Sequence, residues 1–178
     1  MPLSSPYRGL PATRWVRKTE QLLAAYPLDA KEIVEVVLSS WDAIFESKIG
    51  PHSFRIGEHL FPKPQIMGFL LHELIPLEFS ARYPKLWRGD ESSSEKDLVY
   101  IPKPEFSLEI KTSSHKRQVF GNRSFAQPST DSKKNKAGYY LAVNFEAFAK
   151  THAKPHIRRI RFGWLDHDDW VGQKAATG

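Results

Sequence analysis

The sequence reads Phe106-Ser-Leu-Glu-Ile-Lys-Thr112 near its middle, and this stretch decides the fold that we expect. Apolar and polar residues alternate along it, as they do in a β-strand with one buried face. Three apolar residues would share the buried face: Phe106, Leu108 and Ile110. Glu109 and Lys111 would then point together to the other side of the strand, along with Ser107.

A second strand-like run, Asp97-Leu-Val-Tyr-Ile101, precedes this stretch. Only Pro102-Lys-Pro-Glu105 separates the two, and so short a connection predicts an antiparallel hairpin. If Asp97 lies opposite Glu109 or Lys111, all three charges share one face; if it lies opposite Ile110, they do not. The sequence leaves this register open.

Helical patterns occupy the N-terminal half of the chain. We expect one helix over about 12–26, a second from Asp29 to about Lys48, and a third that begins at Pro64. Pro76 either kinks or ends the third helix. The apolar faces predicted for the second and third helices consist of Ile33, Val37, Trp41, Ile44 and Phe45, and of Ile66, Leu70 and Leu74.

Strand patterns follow in the C-terminal half. A polar tract, 88–96, is expected to be a loop, and further strands are expected at 138–145 and 157–164. Helices first and strands later predict an α/β fold of mixed α+β character, with a central mixed β-sheet flanked by helices. We expect one domain over 1–178, with a mainly helical part at 1–85, the sheet at 97–165 and a polar tail at 166–178.

The composition indicates an anionic partner. Lys and Arg outnumber Asp and Glu by 26 to 20, a formal net charge of +6, which favours nucleic acid or an anionic membrane surface. The absence of cysteine excludes disulfides and thiolate metal sites. No apolar stretch is long enough to span a membrane, and the N-terminus lacks a secretory pattern. We therefore expect a soluble, cytoplasmic protein.

The three charges of the hairpin suit metal-dependent phosphodiester cleavage. Asp97 and Glu109, with the carbonyl of Ile110, could hold a hard divalent cation such as Mg²⁺, with Mn²⁺ as a substitute. The ammonium of Lys111 would orient the attacking water and stabilise the charged phosphorus centre. The alternative is a solvated polar face of an amphipathic hairpin. Acid-any-lysine occurs four times in the chain, and only at Glu109 does it lie on an alternating strand.

Two helical residues bear on the same site. Glu73 falls on the apolar side predicted for the third helix, and a carboxylate there needs a partner. It either pairs with an arginine or adds an acid to the rim of the metal site. Its neighbour His72 is one of six scattered histidines that we expect to be ordinary surface or core residues.

A polar, basic stretch follows Lys111. Its side chains suit phosphates and base edges, although a solvated loop is the alternative interpretation. The residues expected to contact DNA are Ser113, Lys116, Arg117, Asn122, Arg123, Ser124, Gln127, Lys133, Lys134 and Lys136. Strand alternation also puts Arg159 and Arg161 on one face.

These residues resemble the motif of the PD-(D/E)XK nuclease superfamily. Glu73 matches its helical glutamate, Asp97 its first acid, and Glu109-Ile-Lys111 its acid-any-lysine. Lys96 stands where the superfamily usually has proline. Blocks of the C-terminal half look more narrowly like the ScaI-type restriction endonucleases: Glu109-Ile-Lys-Thr-Ser113, Phe120-Gly-Asn-Arg-Ser-Phe-Ala-Gln127, Gly138-Tyr-Tyr-Leu-Ala-Val-Asn144 and Gly163-Trp-Leu-Asp-His-Asp-Asp-Trp170.

The resemblance implies a restriction-endonuclease-like core and a type II restriction enzyme. Such an enzyme cleaves both strands of double-stranded DNA at a short palindrome, usually as a homodimer with Mg²⁺. Two alternatives remain: a structure-specific or repair nuclease of the same superfamily, and a non-catalytic DNA-binding protein on this scaffold. Asp166, His167 and Asp169 either belong to a late functional segment or cap a terminal helix.

Overall fold

A computed structural model describes residues 5–121, 136–148 and 154–171. Within these ranges the chain forms three α-helices and one five-stranded sheet. The helices are α1 (Trp15–Ala24), α2 (Ala30–Glu46) and α3 (Pro64–Arg82). The strands are β1 (Trp87–Gly89), β2 (Leu98–Tyr100), β3 (Leu108–Ser113), β4 (Gly138–Phe145) and β5 (Ile157–Leu165).

The sheet is mixed, as the sequence predicts. Its strand order is β1-β2-β3-β4-β5, with β3 and β4 parallel and the other neighbours antiparallel. The loop expected over 88–96 is wrong at its start, because Trp87–Gly89 forms an edge strand paired with β2. Burial of the Trp87 side chain stabilises this short strand despite the polar residues that follow it.

Helix α2 forms where its capping signal predicts. The Asp29 side chain accepts a hydrogen bond from the backbone N–H of Glu32 at 2.8 Å, which satisfies one free donor of the first turn. The expected face is buried at Ile33, Val37, Trp41 and Ile44, and Phe45 is partly buried against it. The apolar periodicity and the cap agree for α2, so the local sequence was sufficient to predict its start and its buried face.

Helix α3 continues through Pro76 to Arg82, so this proline does not end it. The predicted apolar face is right in part: Leu70 and Leu74 pack partly buried against the core, whereas Ile66 is 52% exposed. The fully buried residues of the helix are Met67, Gly68, Leu71, Ile75, Pro76 and Phe79. Both sides of α3 carry apolar residues, and a close approach to β3 selects the buried one: a Cβ on Gly68 would lie 2.6 Å from Thr112 Oγ1.

The core lies between the helices and one side of the sheet. Residues of β2, β3 and β4 contribute to it together with α2 and α3. An aromatic group joins the N-terminal part to the sheet, because Tyr26 packs 4.5 Å from Tyr139 between ring centroids and donates its hydroxyl to the carbonyl of Phe106. No helix in the described part of the chain is both long and apolar enough to cross a membrane.

Candidate active site

The register of the β2–β3 hairpin brings the two acids level with each other. Leu98 pairs with Leu108, and both side chains are fully buried. One step further along an antiparallel ladder, Asp97 falls opposite Glu109. This is one of the two registers that bring the predicted charges to one face, and core packing of the paired leucines decides it.

Asp97 stands immediately before β2 and is buried. Its Oδ2 accepts a hydrogen bond from the N–H of Ile110 at 2.6 Å. The N–H and C=O of one strand residue point to the same edge, so the Ile110 carbonyl also faces the β2 side. The carboxylate and the carbonyl expected to be ligands therefore meet at one place.

Glu109 lies on β3 between two lysines and is 2% exposed. Lys111 Nζ is 2.5 Å from its Oε1, and Lys96 Nζ is 3.8 Å from its Oε2. A carboxylate this deeply buried needs charged partners, because desolvation disfavours an isolated ion. The Glu109–Lys111 pair agrees with the strand pattern, whereas the contact of Lys96 comes only from the tertiary structure.

His72 joins the site from α3. Its Nε2 lies 3.2 Å from Asp97 Oδ2, and this hydrogen bond to the Asp97 carboxylate raises the pKa of His72, against the opposing effect of burial. The sequence analysis did not place His72 at this site. One signal for it exists in the sequence: His72 follows Gly68 by four positions, which puts both on the helix face that approaches β3.

Glu73 lies at the rim of the site rather than inside it. Its side chain is 55% exposed, and Oε1 is 3.9 Å from His72 Nδ1. No arginine in the described ranges forms an ion pair with it, so the structural alternative is not found there. In the same ranges no three His, Asp or Glu side chains form a metal-binding group, which leaves two carboxylates and a carbonyl as the candidate ligands.

A cleft of about 820 Å³ opens beside His72 and Glu73. It runs between the first half of α3 and the end of β3, where Thr112 and Ser113 line it with Phe69. Among the residues expected to contact DNA, Ser113 therefore borders this cleft. Lys116 and Arg117 follow it on the exposed surface.

Not every residue expected to contact DNA lies on a surface. Lys136 is 5% exposed, which corrects its expected place in an exposed basic loop. It directly precedes β4, and its carbonyl accepts a hydrogen bond from the Tyr140 hydroxyl. The remaining six lie outside the described residues: Asn122, Arg123, Ser124, Gln127, Lys133 and Lys134.

Asn144 organises the segment that follows β3, a role that the sequence analysis missed. It is fully buried on β4, and its amide donates to the carbonyls of His115 and Gln118, each at 2.8 Å. Arg161 on β5 donates to its Oδ1 at 2.7 Å. A polar residue inside an otherwise apolar strand was the available signal, because a buried amide requires partners.

The late acidic segment has a structural role. Asp166 Oδ1 accepts from the Trp164 indole at 2.8 Å, and its other carboxylate oxygen accepts from the Ser5 hydroxyl. Asp169 Oδ2 accepts from the N–H of Asp166 at 2.7 Å across a short 3₁₀ helix, His167–Asp169. Of the two interpretations of this segment, these contacts support capping.

The donor set matches a hard divalent cation. Asp97 and Glu109 supply carboxylate oxygens, and Ile110 faces the same side with a carbonyl, the ligand types that Mg²⁺ takes in proteins. Lys111 adds an ammonium at the same carboxylate. Such an arrangement can polarise a phosphodiester and position a nucleophilic water.

The family model of the ScaI restriction endonuclease matches residues 5–178. The chain belongs to the ScaI restriction endonuclease family. It is similar to the type II restriction enzyme ScaI of Streptomyces caespitosus, with 53% identity over 176 residues that cover 98% of this chain and 77% of the relative. No solved structure matches the chain.

Membership of the ScaI family decides among the functions that the sequence left open. The chain is a site-specific restriction endonuclease, and its substrate is DNA. The alignment extends through the helical N-terminal half, beyond the C-terminal blocks that carried the resemblance.

Proposed function

We propose that this restriction endonuclease hydrolyses phosphodiester bonds in both strands of a short palindromic site, with Mg²⁺ held at Asp97, Glu109 and Ile110. One observation carries the proposal: Asp97 bonds to the backbone of β3 at Ile110, next to a buried Glu109 whose carboxylate contacts Lys111. Two acids and an ammonium at one strand edge are the equipment that this hydrolysis needs.

The two carboxylates and the carbonyl would bind the metal. When bound, Mg²⁺ supplies charge neutralisation at the phosphate and a lower pKa for water. Asp97 is held for this role from two sides, by the N–H of Ile110 and by His72. Mn²⁺ prefers similar oxygen ligands, so we expect it to replace Mg²⁺.

Lys111 and Glu73 act beside the ligands. The Lys111 ammonium, 2.5 Å from Glu109 Oε1, lies where it orients the attacking water and stabilises negative charge on the phosphate. Glu73 reaches the proposed ligands only through His72, whose Nδ1 lies 3.9 Å from Glu73 Oε1. We therefore assign Glu73 a supporting role.

The DNA would lie along the segment that follows β3. Ser113 borders the cleft, and the exposed Lys116 and Arg117 continue from it, which supports the proposal that these three contact phosphates. The buried Asn144 holds this segment through His115 and Gln118. The six predicted contacts outside the described residues remain predictions for sequence reading.

A homodimer is the economical assembly for this activity. A palindrome has two-fold symmetry, so a two-fold dimer presents one catalytic centre to each strand. Sedimentation of the protein on DNA would give its mass directly. If the enzyme is a dimer, mixing wild type with Lys111→Met produces heterodimers, which should nick only one strand of the site. If the enzyme is a monomer that cuts the strands in turn, the same mixture should still cleave both strands.

The first test is cleavage of plasmid and phage DNA with Mg²⁺ and, in parallel, with EDTA. Discrete fragments with Mg²⁺ alone are expected from the wild type, and loss of them from Asp97→Asn and Lys111→Met. Lys31→Met is the matched control, because Asp29-Ala-Lys31 has the same acid-any-lysine spacing at an exposed helix start. Full activity in Lys111→Met would overturn the assignment.

A further inference from the structure

Lys96 is fixed in place on both sides along the chain. The preceding residue, Glu95, is held by a two-pronged ion pair with Arg88, at 2.6 and 3.0 Å. The following residue, Asp97, is held by the N–H of Ile110. The backbone of Lys96 is therefore tied to both β1 and β3, which directs its side chain into the site.

The Lys96 side chain is buried there. It is 12% exposed, and its Nζ lies 3.8 Å from Glu109 Oε2 and 4.8 Å from the centroid of the Tyr140 ring. Lysine is among the residues least often buried unless it is paired. Register places Tyr140 beside Glu109 on the same side of the sheet, so the Lys96 ammonium sits over the carboxylate that we assign to the metal.

Glu109 thus meets one ammonium at each carboxylate oxygen: Lys111 at Oε1 and Lys96 at Oε2. Among the residues that the structure describes, the other ionisable groups near this point are Tyr140 beside Glu109 and Asp97, with His72 against Asp97 and Glu73 beyond. A divalent cation that binds at Glu109 gains the attraction of the carboxylates and meets the repulsion of two ammonium groups. Two ammonium groups at one carboxylate oppose the binding of a cation there more strongly than one does.

We propose that Lys96 makes metal binding depend on DNA: it holds Glu109 in the metal-free enzyme and weakens metal binding until a DNA phosphate enters the site. The inference rests on the proposed metal site at Asp97 and Glu109. The entering phosphate brings the negative charge that offsets the second ammonium, and Lys96 can then pair with it. The coupling is reciprocal, so metal tightens DNA binding by the same factor.

The coupling can be measured without cleavage. Ca²⁺ is titrated by calorimetry into the full-length free protein and into its complex with a duplex that carries the mapped cleavage site, and gels verify that the duplex stays intact. We compare wild type with Lys96→Met, which keeps the aliphatic stem, and with Lys96→Arg, which keeps the charge. Lys103→Gln is the control, since it removes an exposed lysine from the other end of β2.

For wild type we expect Ca²⁺ affinity at least about tenfold higher in the complex than in the free protein. Lys96→Met should raise the affinity of the free protein by about the same factor and shrink the difference. Lys96→Arg and Lys103→Gln should retain the wild-type difference in Ca²⁺ affinity between the complex and the free protein. A duplex with a neutral methylphosphonate at the scissile position should raise Ca²⁺ affinity little, because it lacks the negative charge that offsets the Lys96 ammonium.

Two failures are distinguishable. Equal Ca²⁺ affinity of the free and DNA-bound wild type, or an unchanged free-protein affinity in a folded Lys96→Met, would overturn the role of Lys96 and leave the metal site standing. Absence of Ca²⁺, Mn²⁺ and Mg²⁺ binding even in the complex would overturn the proposed metal site itself. If Lys96→Met does not fold, equal Ca²⁺ affinity of the free and DNA-bound wild type would still overturn the proposal, and Lys96→Gln would replace Lys96→Met in the comparison.

Discussion

Asp97 Oδ2 accepts the backbone N–H of Ile110 at 2.6 Å, a bond that joins the residue before β2 to the strand that carries Glu109 and Lys111. The sheet ladder between β2 and β3 is short, with Leu98 opposite Leu108. The Asp97 side chain continues the link past the end of that ladder. The Asp97 carboxylate therefore stabilises the hairpin through Ile110 and is also a proposed metal ligand. Substitutions that keep or remove its hydrogen-bond acceptor can separate these two roles.

Asp97→Asn and Asp97→Ala should separate these roles. The amide oxygen of asparagine can still accept from Ile110, so Asp97→Asn should lose only the contribution of the His72 ion pair to stability, while cleavage falls at least about 100-fold through loss of a charged ligand. Asp97→Ala also leaves a buried N–H without its acceptor and should cost about 1–3 kcal/mol of unfolding free energy. Urea unfolding and cleavage rates measure both; equal stability of the two variants would contradict the structural role.

His72 should give the metal-free protein a pH-dependent stability. Its hydrogen bond to Asp97 raises the pKa of His72 above the usual value, so the folded state binds the proton more tightly than the unfolded state. The extra stability is complete below the unfolded pKa and is lost as pH rises through the folded pKa. In EDTA, the unfolding free energy of wild type minus that of His72→Gln should thus be largest near pH 5.5 and smaller at pH 8. A difference independent of pH would show that the ion pair does not form.

Gly68→Ala should push α3 away from β3. The added Cβ would lie 2.6 Å from Thr112 Oγ1, too close for either atom to stay in place. We expect a loss of about 1–3 kcal/mol from overpacking, and lower cleavage because His72 follows on the same helix face. Thr112→Ala removes the obstructing oxygen, so the double variant should recover much of the loss. If the double variant recovers no thermal stability, the contact with Thr112 is not the cause of the loss.

Arg88 and Glu95 should stabilise the loop before Asp97 except in acid. The Arg88 guanidinium, together with the backbone N–H of Glu91, lowers the pKa of Glu95 to about 2. Because the folded pKa is depressed, this stabilisation is present above the ordinary glutamate pKa and is lost as pH falls towards 2. The melting temperature of Glu95→Gln should lie below wild type at pH 7 and converge with it in acid. Asp90→Asn, in the same loop, is the control for loss of a charge alone, and its melting temperature should stay close to that of wild type at both pH values.

Local sequence predicted much of the fold. The Asp29 cap and the spacing of Ile33, Val37 and Trp41 were enough for α2, because the signal lies within a few turns of one helix. The strands β3, β4 and β5 followed from alternation and apolar runs. The edge strand β1 was missed because three residues carry too little pattern. The buried face of α3 was predicted only in part, at Leu70 and Leu74, because apolar residues surround that helix.

The candidate site divides in the same way. The sequence alone determined which groups we propose for the chemistry, since Asp97, Glu109 and Lys111 are recognisable by residue type and by strand alternation. Only the tertiary structure decided how they meet and what surrounds them: the Leu98–Leu108 register, the approach of His72 over Gly68, the second ammonium of Lys96 and the burial of Lys136. Alternation assigns a side chain to one face of its own strand. Register and helix orientation instead depend on contacts between residues distant in the chain, which no local pattern encodes.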